Sequence, residues 1–198
     1  MLLVVVFVAV LAGCATNPAT SALKAGMRST QIEARVDSKQ GMRYGVDLAG
    51  GGLANALASM IVDSAGQKGV TRMSEVMQKH EIVVSEIVRE CVAKRLKQNG
   101  QLQIVEAEAD GVFVVRIMQY GFDSPGLQLS RKVPIILLGA ELRARNGKKV
   151  WSGQNAAIQL ASKNMGATWE EYEAQPEKLR ADWIKQIETV VAALFSSK

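Results

Sequence analysis

The chain has 198 residues, 48% hydrophobic and 22% charged, with aromatics at only 5% and a formal net charge of +5. That balance fits one globular domain with a core built mostly from Val, Ile, Leu, Ala and Met, and it excludes a disordered chain. Lys and Arg are interspersed with acids, and no basic stretch alternates with aromatics. A nucleic-acid surface is therefore not expected, and the excess charge reads as an ordinary basic surface or as attraction to anionic lipid, lipopolysaccharide or glycan.

Met1 to Ala12, MLLVVVFVAVLA, carries no polar side chain. A spanning helix needs about 20 apolar residues, so this run is too short to cross a bilayer but fits the apolar region of a secretory signal. Gly13 and Cys14 follow, and then the character turns polar at Ala15-Thr16-Asn17-Pro18. Leu11-Ala12-Gly13-Cys14 resembles the lipobox of bacterial lipoproteins. The resemblance implies cleavage between Gly13 and Cys14 and a diacylglyceryl thioether on Cys14, with acylation of the new amine. By the same resemblance, Ala15 rather than aspartate after the cysteine points to the outer membrane, with the body facing the periplasm. No Lys or Arg precedes the apolar run, which points to a start upstream of Met1.

Residues 14–30, rich in Ala, Thr and Ser, read as the lipidated end and a flexible tether, and residues 31–198 as a single domain. Ile32, Ala34 and Val36 alternate with Glu33, Arg35 and Asp37, the pattern of a first strand. Gly50-Gly51-Gly52 leads into a small-residue segment reaching Val62. No Gly-Lys-Ser/Thr follows, so a phosphate loop is excluded, and a closely packed small helix is expected.

A helix is expected from Thr71 or Ser74 to about Gln98, with Val83, Val84, Ile87, Val88, Cys91, Val92 and Leu96 on one stripe and Asn99-Gly100 as its stop. His80, the only histidine, falls near the start of that helix and lacks a ligand or triad partner in the local sequence. Cys91 is expected to be a buried, inert thiol, and with Cys14 lipidated no internal disulfide forms.

Strands follow at Leu102–Glu106, Val112–Phe122, Val133–Arg145 and Lys148 to about Leu160. Asn146-Gly147 predicts a tight type I′ hairpin between the last two. Thr168 and Glu171 form a capping-box pattern. A last helix is expected from about Pro176 to Phe195, burying Leu179, Trp183, Ile187, Val190, Val191 and Leu194. The order implies an α+β fold: a mainly antiparallel sheet of about four to five strands, two long helices on one face and a small Gly/Ala-rich helix.

The ADGVFVVRI strand and the LRARNGKKVWSG hairpin, set between two helices, resemble a family of envelope lipoprotein domains. These are similar to the amino-terminal domain of TolB, the curli-secretion lipoprotein and the penicillin-binding-protein activator lipoproteins. The likeness spans about Glu81 to Phe195, carries over no catalytic residue and implies assembly or binding.

The leading expectation is a non-enzymatic envelope lipoprotein without cofactor or metal. It binds the membrane through Cys14 and a periplasmic or envelope protein through the sheet face or the loops Asp123–Lys132 and Ser162–Thr168. The alternatives are a secretion-channel subunit that oligomerises through Gly50–Val62, and a periplasmic hydrolase. The hydrolase would have to combine Ser124, Ser130 or Ser152 with Asp123, Glu141, Glu171 or Glu173, whose spacing matches no nucleophile elbow or carboxylate pair.

Overall fold

The computed structural model describes residues 17–36, 42–44, 68–100, 102–124, 130–157 and 165–196. The lipobox residues Gly13 and Cys14, the signal segment 1–13 and the Gly50–Val62 segment lie outside the described residues.

The described chain begins with a helix, α1 (Pro18–Lys24). Asn17 caps it through a side-chain oxygen that accepts the Ala19 N–H at 2.9 Å, and Pro18 occupies the first turn, where its missing N–H leaves no orphan. Ala19 and Ala22 are buried. The expected tether through Thr30 is therefore corrected: Asn17-Pro18 is a helix start, and the small residues after it pack closely.

β1 (Ser29–Val36) and the short β2 (Arg43–Tyr44) follow. The single helix expected up to Gln98 is two: a helical segment over residues 68–79, here α2, and α3 (Val84–Asn99). Between them the Ile82 N–H donates to the Met77 carbonyl at 2.8 Å and the Glu81 N–H to Gln78 at 3.3 Å, with Glu81 at φ 52°. This is a Schellman closure with glutamate where glycine is usual, so the sequence carried no stop signal. His80 consequently sits at the C-terminal end of α2 rather than near the start of a long helix. In α2, Gly69 is dictated by packing: a Cβ there would lie 2.3 Å from the Trp169 ring.

β3 (Gln103–Ile104), β4 (Gly111–Asp123), β5 (Val133–Ala144) and β6 (Lys149–Ala157) complete the sheet. Helices α4 (Trp169–Ala174) and α5 (Pro176–Phe195) close the described chain. The α4 capping box of Thr168 and Glu171 forms as expected, and so does α5 with its whole predicted stripe buried.

The fold is α+β. The sheet order is β3-β1-β4-β5-β6, with β2 also pairing β4. β4, β5 and β6 are antiparallel neighbours, while β1 runs parallel to β3 and β4. A bulge between Ile117 and Gln119 shifts the alternation by one residue. It keeps Tyr120 and Phe122 on the same face as Phe113, Val115 and Ile117, which all belong to or pack against one core with the helices.

The few aromatics are concentrated in that core. Phe113 stacks between Trp151 and Phe195 at 5.6 and 5.7 Å, and Phe122 contacts Trp169, Tyr172 and Trp183 at 5.1 to 6.0 Å. The first cluster fixes the C-terminal end of α5 beside the β5–β6 turn; the second fixes α4 and the first half of α5 at the opposite end of the sheet.

The β5–β6 turn is not type I′. Gly147 has φ 80°, but Asn146 does not have positive φ. The Gly147 N–H donates to the Ala144 carbonyl at 2.8 Å and the Ala144 N–H to Lys148 at 2.9 Å, giving a three-residue loop with a left-handed glycine and a bulge. The Asn146 side chain accepts the Lys148 N–H at 3.0 Å, which holds Asn146 in the right-handed conformation of the turn.

Candidate binding surfaces

With the helices on one face, the other face of β1, β4 and β5 presents Gln31, Glu33, Arg35, Arg116, Glu141 and Arg143 to a shallow groove of about 630 Å³. Strand alternation puts these side chains outward, and register brings them together. Glu141 lies opposite Val114, one step diagonally from Arg116, and two residues from Arg143 on its own strand. Its Oε1 accepts from the Arg116 and Arg143 guanidinium groups, each at 2.8 Å. Burial works against ionisation of Glu141, but the hydrogen bond from Arg143 and the charge of Arg116 outweigh it and hold the carboxyl below the usual range. Arg35 pairs with Glu33 on the same face. The arrangement is a mixed-charge surface in which Glu33 and Glu141 are paired with guanidinium groups, suited to polar contact with a partner.

The second surface is the end of the sheet where β4 stops and β5 starts. Asp182, on α5, is buried, and its Oδ2 accepts from the Tyr172 hydroxyl at 2.8 Å, the Gly166 N–H at 3.0 Å and Lys178 Nζ at 3.0 Å. The Tyr172 hydroxyl also lies 3.2 Å from the Lys132 carbonyl. Burial first, and then the Asp182 charge, push the Tyr172 hydroxyl far up, so it stays a proton donor. Lys132 and Ala167 exchange backbone hydrogen bonds at 2.7 and 3.1 Å, and Arg131 Nε donates to the Met165 carbonyl at 2.8 Å. The buried Lys132 donates to Ser124 Oγ at 2.8 Å and stands 5.6 Å from the Trp169 ring centre. These bonds stitch together the described ends of the two loops nominated from sequence, Asp123–Lys132 and Ser162–Thr168; residues 125–129 and 158–164 lie outside the described residues.

The other candidates are dispersed. His80 is exposed. Cys91 is buried on α3, where burial, and then Glu188, push its thiol up to about 11, away from the reactive thiolate. Asp123 accepts the Ser124 N–H at 2.7 Å, Glu171 closes the α4 cap and Glu173 pairs with Arg72. Ser130 is exposed in a turn, and Ser152 lies opposite Glu141 in the β5–β6 register. The structure thus leaves Asp123 beside Ser124 at one end of the sheet and Ser152 opposite Glu141 on β5 and β6, and does not bring the whole candidate set together. Among the described residues, no three or more His, Cys, Asp and Glu side chains are grouped to hold a metal, and no helix is long and apolar enough to cross a membrane.

Comparison with known proteins returns likeness at the level of structure alone. No family model matches the chain, and no curated protein matches its sequence. A Xanthomonas campestris protein of the DUF330 family model is similar at TM-score 0.39 and 14% identity, over 56% of this chain and 57% of its own. The chain thus spans little more than half the length of that protein. The PelC dodecamer from Paraburkholderia phytofirmans is similar at TM-score 0.34 and 12% identity, over 86% of this chain and 89% of that one. A minor lipoprotein from Acinetobacter baumannii is similar at TM-score 0.35 and 15% identity, over 56% and 82%.

Sequence reasoning missed the Tyr172–Asp182–Lys178 cluster and the Arg116–Glu141 pair. Lys178 and Asp182 stand four apart on one helix face, which was visible. The partners Tyr172, Gly166 and Arg116 come from other elements and needed the register.

Proposed function

We propose that this chain is a lipid-anchored protein of the bacterial cell envelope, held in the outer membrane with its body in the periplasm. It acts as a non-enzymatic accessory or assembly factor. The observation that carries this reading is the apolar run ending in Leu11-Ala12-Gly13-Cys14, followed within a few residues by the capped helix α1. Two or three acyl chains on Cys14 hold a protein essentially permanently, where a single chain is marginal. The body supports binding rather than turnover: the acids on its open face are engaged by arginines, and its cysteine is buried. Partner recognition falls to the groove of β1, β4 and β5 and to the loop end stitched by Lys132.

Labelling cells with a clickable fatty acid tests the anchor. Wild type takes the label and Cys14→Ser does not, because a hydroxyl forms no thioether; equal label on both overturns the anchor. Complementation of a deletion strain tests the non-catalytic role. His80→Ala and Cys91→Ala, singly and together, restore the phenotype. Loss of function at wild-type expression and melting temperature would reveal a missed active site.

A further inference from the structure

The structure has two distinct poles. At one, the Asn17 side chain donates to the Phe195 carbonyl at the end of α5, and α1 packs on β6. Arg28 enters β1 beside Asp110, the Arg145 N–H donates to the Asp110 carbonyl at 2.8 Å, and the β5–β6 turn carries Lys148 and Lys149. At the other pole lie the loop end of Lys132 and the cluster around Asp182. β5 joins the two, and its 12 residues span roughly 35–40 Å.

Lys24, Arg28, Arg145, Lys148 and Lys149 at the first pole are all exposed. Among the described residues the acids beside them are Glu108 and Asp110, and the Asp110 carboxylate is engaged by the N–H groups of Arg28 and Ser29 at 2.8 and 2.9 Å. The pole is therefore net basic. α1 turns Ala19 and Ala22 inward and leaves Leu23 44% exposed beside Lys24. Cys14 stands three residues before Asn17 in the chain, a reach of about 10 Å at full extension. That is about one Debye length at physiological salt.

We infer that this basic pole lies against anionic phospholipid headgroups, so that the body is oriented on the membrane with the Lys132–Asp182 end held away from it. The inference rests on the reading of Cys14 as the lipid anchor. A short anchor brings Lys24, Lys148 and Lys149 within range of the surface charge, and Leu23 lies at the boundary of the acyl chains. Of the two surfaces nominated for partner binding, the loop end stitched by Lys132 then faces the periplasm, while the groove of β1, β4 and β5 runs along the body and reaches Arg145 at the basic pole.

The test separates contact from anchor by using the full chain with Cys14→Ser and vesicles of phosphatidylglycerol and phosphatidylethanolamine at low salt. Each basic residue is worth about fivefold in partitioning, the equivalent of ~1 kcal/mol near such a surface. Lys24→Ala, Lys148→Ala and Lys149→Ala together lower the partition coefficient about a hundredfold. The matching set at the other end, Lys68→Ala, Lys79→Ala and Arg180→Ala, leaves it unchanged. The apolar run Met1–Ala12 contributes equally to every variant and does not depend on lipid charge. All six side chains are exposed, so circular dichroism and melting temperature stay at the parent values. Equal losses in the two sets, or no loss in either, overturn the oriented contact even where Cys14 carries lipid. Absence of lipid on wild-type Cys14 overturns the anchor and the membrane orientation with it.

Discussion

Replacing Tyr172 by phenylalanine removes one oxygen from the middle of the α4–α5–β5 junction. Tyr172 is fully buried, and its hydroxyl gives Asp182 one of the three hydrogen bonds received by Oδ2. The ring keeps its packing on Phe122, so the change isolates the hydrogen bond. A bond to a charged acceptor contributes about 1.5–3 kcal/mol, and a buried carboxylate short of a donor sets the loss near the upper end. In a domain of this size 1 kcal/mol shifts the melting temperature by about 2–4 °C, so Tyr172→Phe lowers it by about 4–10 °C. Asp182→Ala leaves the Gly166 N–H without its acceptor and the Tyr172 hydroxyl with the Lys132 carbonyl alone, and destabilises by about 1–3 kcal/mol. Lys178 is partly exposed, so water can satisfy its ammonium. The two substitutions share one bond, so the double variant falls short of their sum by about 1–2 kcal/mol. Urea unfolding of the four chains measures all of this. A Tyr172→Phe chain within about 0.5 kcal/mol of wild type, with additive losses in the double variant, refutes the junction as described.

Gly147→Val, forced to φ 80°, destabilises the hairpin by about 1–3 kcal/mol, whereas Gly147→Asn costs less; equal melting temperatures for the two contradict a left-handed residue there. The N–H groups of Arg28 and Ser29 hold the Asp110 carboxyl below the usual range. Its contribution to stability is therefore complete above the unfolded-state pKa of about 4 and disappears as pH falls through the lower folded value. Acid titration of Asp110→Asn shows less loss of stability below pH ~4 than wild type, and identical acid profiles contradict the bond. Cys91, with its thiol pushed up to about 11, reacts with a disulfide reagent far more slowly in the folded Cys14→Ser chain than after unfolding; equal rates contradict its burial.

Periodicity made some elements legible and left others hidden. α5 was readable from Pro176 to Phe195 because proline opens it, a complete apolar stripe runs through it and the capping box of α4 precedes it. The strands β4, β5 and β6 were readable from β-branched runs bounded by Asp110-Gly111 and Asn146-Gly147. The break between α2 and α3 was not, because Glu81 takes the left-handed position that glycine normally marks and the apolar spacing continues across it. α1 was mistaken for a tether because Ala, Thr and Ser are frequent in both, although Asn17-Pro18 carried the signal of a capped start. The parallel pairing of β1 with β3 and β4 depends on the crossover through α3, which alternation alone does not encode. On the open face, Glu141 and Arg143 stand two residues apart within one expected strand, so alternation places them on the same side. Their meeting with Arg116 depends on a strand register that the bulge at Met118 helps to set.

The most direct test of the account is the mass of the mature amino terminus of the protein extracted from envelopes. The lipobox reading predicts a first residue of Cys14 carrying a thioether-linked diacylglyceryl group and an amide-linked acyl chain. A terminal peptide that retains Gly13, or a Cys14 thiol that alkylates freely, would contradict it.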